Sequence, residues 1–164
     1  MNILKNFSKG FKSGLGFGIA SGVVTTLGLM VGVYFGTHSS LAVIGSIISI
    51  AIADALSDAF GTHLAEESKN ESSQHLKIST FSTFFTKFFV GILFLIPFIL
   101  FDMSSALLIS VILGFFILGA YSILVALANK TNPLYTIIEH SLFALAVLII
   151  SYFVGVAVNQ YFGS

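Results

Sequence analysis

The chain has 164 residues, 56% of them hydrophobic and 9% charged, with a mean hydropathy of +1.01. A water-soluble domain carries about a quarter of its residues charged, so this composition excludes a soluble globule. Seven lysines, no arginine and seven carboxylates cancel to a net charge of +0, which leaves no basic face for nucleic acid, and the lack of cysteine excludes disulfides, thiolate metal sites and cysteine nucleophiles.

Residues 1–13 set Ile3, Leu4, Phe7 and Phe11 beside Lys5, Lys9 and Lys12, the pattern of a short amphipathic helix lying on a membrane surface. The apolar stretch that follows from Leu15 is too long for the core of a signal peptide, so the segment is expected to be retained.

Residues 14–164 read as one all-α transmembrane domain. A helix needs about 20 apolar residues to cross a bilayer core of about 30 Å. Five runs reach that length: 15–36, 41–65, 81–101, 104–128 and 134–158.

Span one is dense in glycine, and the pairs Gly18/Gly22, Gly28/Gly32 and Gly32/Gly36 are each four residues apart. Such a strip lets another helix approach closely. It fits tight packing within one subunit and the seam of a symmetric dimer equally well.

Span two carries the expensive residues. Asp54 and Asp58 lie one turn apart on one face, and each costs about 2.5–3.5 kcal/mol at mid-helix on the insertion scale. Thr62 and Glu66 continue the same spacing, so a stripe of oxygen donors leads from the bilayer interior towards one surface, with Ser57 beside it and His63 on the opposite side. Carboxylates and hydroxyls are hard ligands that suit manganese, ferrous iron, magnesium or calcium. Intramembrane acids default to functional sites; the plainer alternative is a structural pair capped by Lys87 or by neighbouring serines.

The stretch Glu66, Glu67, Glu71 and His75 offers groups for collecting cations, but the two lysines nearby point rather to an ordinary solvated loop. Span three holds a phenylalanine cluster expected to face lipid or pack in the bundle, a Pro97 that should kink it, and Lys87, which either snorkels to the interface or pairs with a carboxylate. Glu139 and His140 open span five, where they form an outer layer to the site or simply suit a helix N-terminus.

Lysine placement sets direction. All six loop lysines (Lys5, Lys9, Lys12, Lys69, Lys77, Lys130) fall on one side, so the N-terminus is expected in the cytoplasm and the C-terminus outside a plasma membrane. Enzyme readings fail: the Gly-Xaa-Gly-Asp context of intramembrane aspartyl proteases and the His-Glu-Xaa-Xaa-His zinc motif are both missing.

Gly18-Ile19-Ala20-Ser21-Gly22-Val23-Val24-Thr25-Thr26 and the segments Ala55-Leu56-Ser57 and Gly61-Thr62-His63-Leu64 resemble the first- and second-helix signatures of the vacuolar iron transporter family in its short prokaryotic or archaeal form. Gly91 to Phe98, Gly119, Asn132-Pro133 and Tyr152 to Gly155 are similar to weaker markers in the later spans. The resemblance implies a homodimer whose first helices line a central pathway, whose second helices supply metal ligands, and which moves a transition metal out of the cytoplasm in exchange for protons. This chain has Ser21 where the family usually has aspartate, Asp58 for its methionine, Asp54 for a glycine and Ile50 for an acid, and it lacks the long cytoplasmic metal-binding insert.

The expectation is therefore a five-span homodimer in the bilayer that exports Fe2+ or Mn2+ as substrate, without a tightly bound cofactor. Asp54 and Asp58 would bind the ion, Ser21 and Ser57 would add neutral oxygens, and Thr62 and Glu66 would form the entrance. Glu67, Glu71 and His75 would collect metal at the cytoplasmic mouth, with Lys87, Glu139 and His140 around the site. The alternative is a non-transporting assembly protein whose aspartates hold a partner.

Overall fold

The computed structural model describes residues 2–163, with side chains from residue 7 onward. The described residues form six helices: α1 (Asn2–Thr37), α2 (Ser40–Ser68), α3 (Ser73–Leu93), α4 (Leu95–Leu100), α5 (Met103–Asn129) and α6 (Pro133–Phe162). With α3 and α4 taken as one interrupted rod, five stretches are long and apolar enough to cross a membrane, so this is an all-α, multi-pass membrane protein.

Every break between spans carries its own start signal. Ser39, Ser72, Asp102 and Asn132 each accept a hydrogen bond from a backbone N–H in the following first turn, and Pro133 occupies a position where its missing N–H is harmless.

The caps lie outside the apolar runs, so the helices outlast them. α2 continues to Ser68 and α3 starts at Ser73. The polar stretch expected as a loop from Glu66 to His75 is thus mostly helical, and α6 begins a full turn before Glu139 and His140, which do not open it. The N-terminal segment also departs from expectation. It runs straight into span one as part of a 36-residue helix rather than forming a separate surface helix. Phe7 and Phe11 stack on its exposed side near Lys9 and Lys12, while the Ile3, Leu4 and Lys5 side chains lie outside the described residues.

Pro97 acts one turn upstream of itself. It offers no N–H to the Leu93 carbonyl and its ring crowds that oxygen, and the helix breaks at Phe94, where α3 gives way to α4. Phe94 and Phe98 are buried around this joint, whereas Phe81, Phe85 and Phe89 face outward.

α1 is the central helix and packs against α2, α3, α5 and α6. Seven of its eight glycines fall on two faces, and Gly16 lies against Tyr121 of α5. Gly10, Gly14, Gly18 and Gly22 meet α3, and Gly28, Gly32 and Gly36 meet α6. A methyl group on Gly14 would sit 2.7 Å from both Ser82 Cβ and Thr83 N, and one on Gly28 would sit 2.8 Å from Val147 Cγ1. Gly14, Gly18 and Gly22 are thus closed off by α3 inside the subunit, whereas Gly28, Gly32 and Gly36 also line an open apolar groove with Ile50, Ser151 and Val154. Below the glycines, Val23, Leu27, Met30, Ile47, Phe94 and Leu118 form the core. The close α1–α3 approach also buries an unusual polar row on α3: His75, Ser79, Thr83 and Lys87, each four residues from the next.

Candidate functional site

The polar row of α3 is where span two places its acids. Lys87, only 2% exposed, extends from α3 between α1 and α2. Its ammonium pairs with Asp54 Oδ2 at 2.5 Å and also with Asp58 Oδ2. Ser21 of α1, one residue before a glycine that lies against α3, closes the group. Its hydroxyl donates to Asp58 Oδ2 at 2.7 Å and accepts from Lys87 Nζ at 2.8 Å.

Three helices thus supply two carboxylates, one ammonium and one hydroxyl, with a formal charge of minus one. Lys87 is sealed in the bundle, but the Asp54 and Asp58 side chains keep 28% and 21% of their surface open. The open surface belongs to the two acids rather than to the lysine, while the Asp54 oxygen that meets Lys87 is itself buried. The sequence reading set Lys87 around the site, either snorkelling to the interface or pairing with a carboxylate; it pairs directly with both acids.

The stripe Asp54, Asp58, Thr62, Glu66 does lie along one side of α2, but its members have different partners. Thr62 accepts from the Thr83 hydroxyl at 3.2 Å. Glu66, 6% exposed, receives the Ser13 hydroxyl at 2.8 Å and lies 3.4 Å from Lys69 and 3.3 Å from His75 Nε2. It is two helical turns, about 12 Å, from Asp58. A small cleft lined by Ser13, Phe17, Gly61, Thr62, Ala65, Glu66 and Lys69 opens between α1 and α2 at this end.

A local backbone device brings a second cluster together here. Asn70 takes φ of 56°, the Asn70 N–H bonds the Glu67 carbonyl, and the Glu71 N–H bonds the Glu66 carbonyl, a Schellman turn that folds Glu71 back over Glu66. The Ser72 cap then starts α3 and sets His75 in its first turn, 1% exposed, under Gly10 of α1. Ligand atoms of Glu66, Glu71 and His75 all lie within 4.8 Å of one another. Glu71 also pairs with Lys9, and that hydrogen bond holds its carboxyl below the usual carboxylate range.

Other expected site residues fall elsewhere. Ser57 is exposed and hydrogen-bonds neither aspartate, because it lies about 100° around α2 from Asp58. Glu67 and Glu139 are exposed and join neither cluster. His140 Nδ1 lies 2.8 Å from the Ser122 hydroxyl, and the same histidine lines a cavity of about 300 Å³ with Ser21, Thr25, Phe17 and Phe143, so it neighbours the site only across that space. His63 bonds the Thr80 hydroxyl at 3.2 Å. What sequence reasoning missed is the row His75, Ser79, Thr83, Lys87. Its four-residue spacing was legible, but it was hidden among eight phenylalanines.

Comparison with protein-family models, curated proteins and solved structures finds no match for this chain.

Proposed function

We propose that this protein is a membrane transporter that carries a hard divalent cation, Mn2+ or Fe2+, in exchange for protons, with Asp54 and Asp58 as the exchanging site. The observation that carries the reading is a pair of partly open carboxylates held against one buried ammonium between α1, α2 and α3. Lys87 keeps the pair stable in the absence of cargo, and a divalent cation has twice its charge and competes for the same oxygens. Binding then requires Lys87 to withdraw or the ion to enter from the open side of the aspartates, and proton uptake by the carboxylates releases it.

The donor set fits the cargo class: two carboxylates and the Ser21 hydroxyl are hard oxygens, and no sulfur donor is among them. The resemblance to vacuolar iron transporters supports the same reading in one respect. That family usually carries its first-helix aspartate at the position of Ser21, and here the Ser21 hydroxyl bonds Asp58, so a carboxylate from α2 meets the first helix at that position.

In this reading the lysine-bearing end faces the cytoplasm and the cation is exported. The protein works as a homodimer joined along α2 rather than α1. The α1 glycines that face α3 are used internally, whereas Gly45, Ser49, Ala53, Ser57 and Gly61, four residues apart, form an exposed small-residue face on α2 beside the acids.

The test is flux. Proteoliposomes loaded with a metal-quenched dye and a pH indicator are expected to take up Mn2+ or Fe2+ with opposed proton movement. The double variant Asp54→Asn/Asp58→Asn is expected to abolish it, and equal flux in that variant overturns the site. Full engagement of Lys87 by both acids favours one other reading, a non-transporting scaffold in which the triad only holds helices together. That reading requires no flux from the wild-type protein under any gradient.

A further inference from the structure

We infer that Glu66, Glu71 and His75 form a second divalent-cation site with nitrogen and oxygen donors, at the lysine-bearing end of the bundle, in which the bound ion takes the place of the Lys9 and Lys69 ammoniums.

Three observations lead to it. The ligand atoms are gathered within 4.8 Å, and ligands at about 2.1 Å from a shared ion stand about 3–4 Å apart, so closing the site takes shifts of about 1 Å. His75 is 1% exposed, and among the described residues neither of its ring nitrogens has a hydrogen bond. Nε2 points at Glu66 Oε2 from 3.3 Å, a separation suited to two donors sharing an ion. A buried imidazole without hydrogen bonds calls for a partner, and α1 at Gly10 covers its other side.

The third observation is what fills the site now. Lys9 holds Glu71 and Lys69 lies 3.4 Å from Glu66 Oε1, yet both lysine side chains are 61% exposed. They are long, solvated and free to swing away, unlike Lys87 in the membrane interior. A dication therefore displaces two mobile ammoniums from two carboxylates and gains an imidazole that neither lysine uses. The single nitrogen selects for manganese, iron or zinc over magnesium and calcium, which prefer oxygen alone.

The site stands about 12 Å from Asp58 along α2 and its existence does not depend on the transport reading. The test uses the full chain in lipid nanodiscs, in the charge-neutral background Asp54→Asn/Asp58→Asn/Lys87→Met, so that the intramembrane acids contribute nothing. Mn2+ is titrated, with free ion read by electron paramagnetic resonance and nitrogen ligation by electron spin echo modulation. One ion per chain with histidine coupling is expected. Glu71→Gln, on an exposed turn that tolerates it, is expected to weaken binding tenfold or more, as loss of a ligand or its support does. Lys9→Met removes a competitor and is expected to tighten binding severalfold. Absence of binding, absence of nitrogen coupling, or an unchanged affinity in either variant overturns the proposal.

Discussion

Lys87→Met keeps the length of the side chain and deletes its charge. The ammonium is buried and faces both acids. Without it, two carboxylates one turn apart, with Cβ atoms about 5–6 Å from each other, repel by about 3 kcal/mol at an effective dielectric of about 20. Removing one partner of a buried ion pair costs about 3–5 kcal/mol. The open quarter of each aspartate and uptake of one proton bring the expected loss to about 2–3 kcal/mol. Reversible unfolding in mixed micelles, followed by circular dichroism, measures it. Adding Asp58→Asn should recover part of the loss, with a coupling of about 1–3 kcal/mol in the double-mutant cycle. Wild-type stability in Lys87→Met, or additivity of the two changes within about 0.5 kcal/mol, would refute the idea that charge pairing holds α2 and α3 together.

The glycine faces make a contrasting pair of predictions in the same unfolding assay. Gly14→Ala forces a methyl against α3 and should destabilise by about 1–3 kcal/mol, whereas Gly45→Ala, with nothing within 4 Å, should be neutral or stabilising by up to about 1 kcal/mol. A Cβ at Gly61 also has nothing within 4 Å, so Gly61→Ala should leave monomer stability intact and weaken a dimer joined on α2, as read by native mass spectrometry or cross-linking through Ser57→Cys. Asp102 accepts the Ser105 N–H at the start of α5, and that bond holds its carboxyl below the usual range. A depressed carboxylate stabilises above its unfolded pKa and loses that contribution as pH falls through its folded value. Asp102→Ala should therefore lower the melting temperature at neutral pH, and the difference should close as Asp102 protonates in acid.

How much of this was legible beforehand depends on whether a residue's neighbours are close in sequence. The five spans were, because apolar runs of bilayer length need no tertiary information. The stripe Asp54, Asp58, Thr62, Glu66 was too, because helical spacing puts it on one side. What acts on the stripe comes from other helices. Sequence alone left Lys87 either snorkelling or pairing with a carboxylate, and the choice is made by the glycine face of α1, which draws α3 in and seals the lysine against the acids. Helix ends were underestimated for a different reason: hydropathy marks where lipid contact stops, whereas Ser72 and Asn132 mark where hydrogen bonding starts. Glu66 and His75 were assigned to solvent for being polar, yet a turn closed at Asn70 buries both.

The length of α1 has a mechanical side. Thirty-six residues make a rod of about 54 Å, against a hydrocarbon thickness of about 30 Å, so several turns stand clear of the lipid or the whole helix leans. Lys9, Ser13 and Ser21 ride on this one rod, the first touching Glu71, the second Glu66 and the third Asp58. A helix without proline or a break between those points turns as a unit. Lys9 and Ser21 stand about 18 Å apart along it, so a single continuous helix fixes the separation between the surface cluster at Glu66 and Glu71 and the hydroxyl beside the membrane-embedded acid.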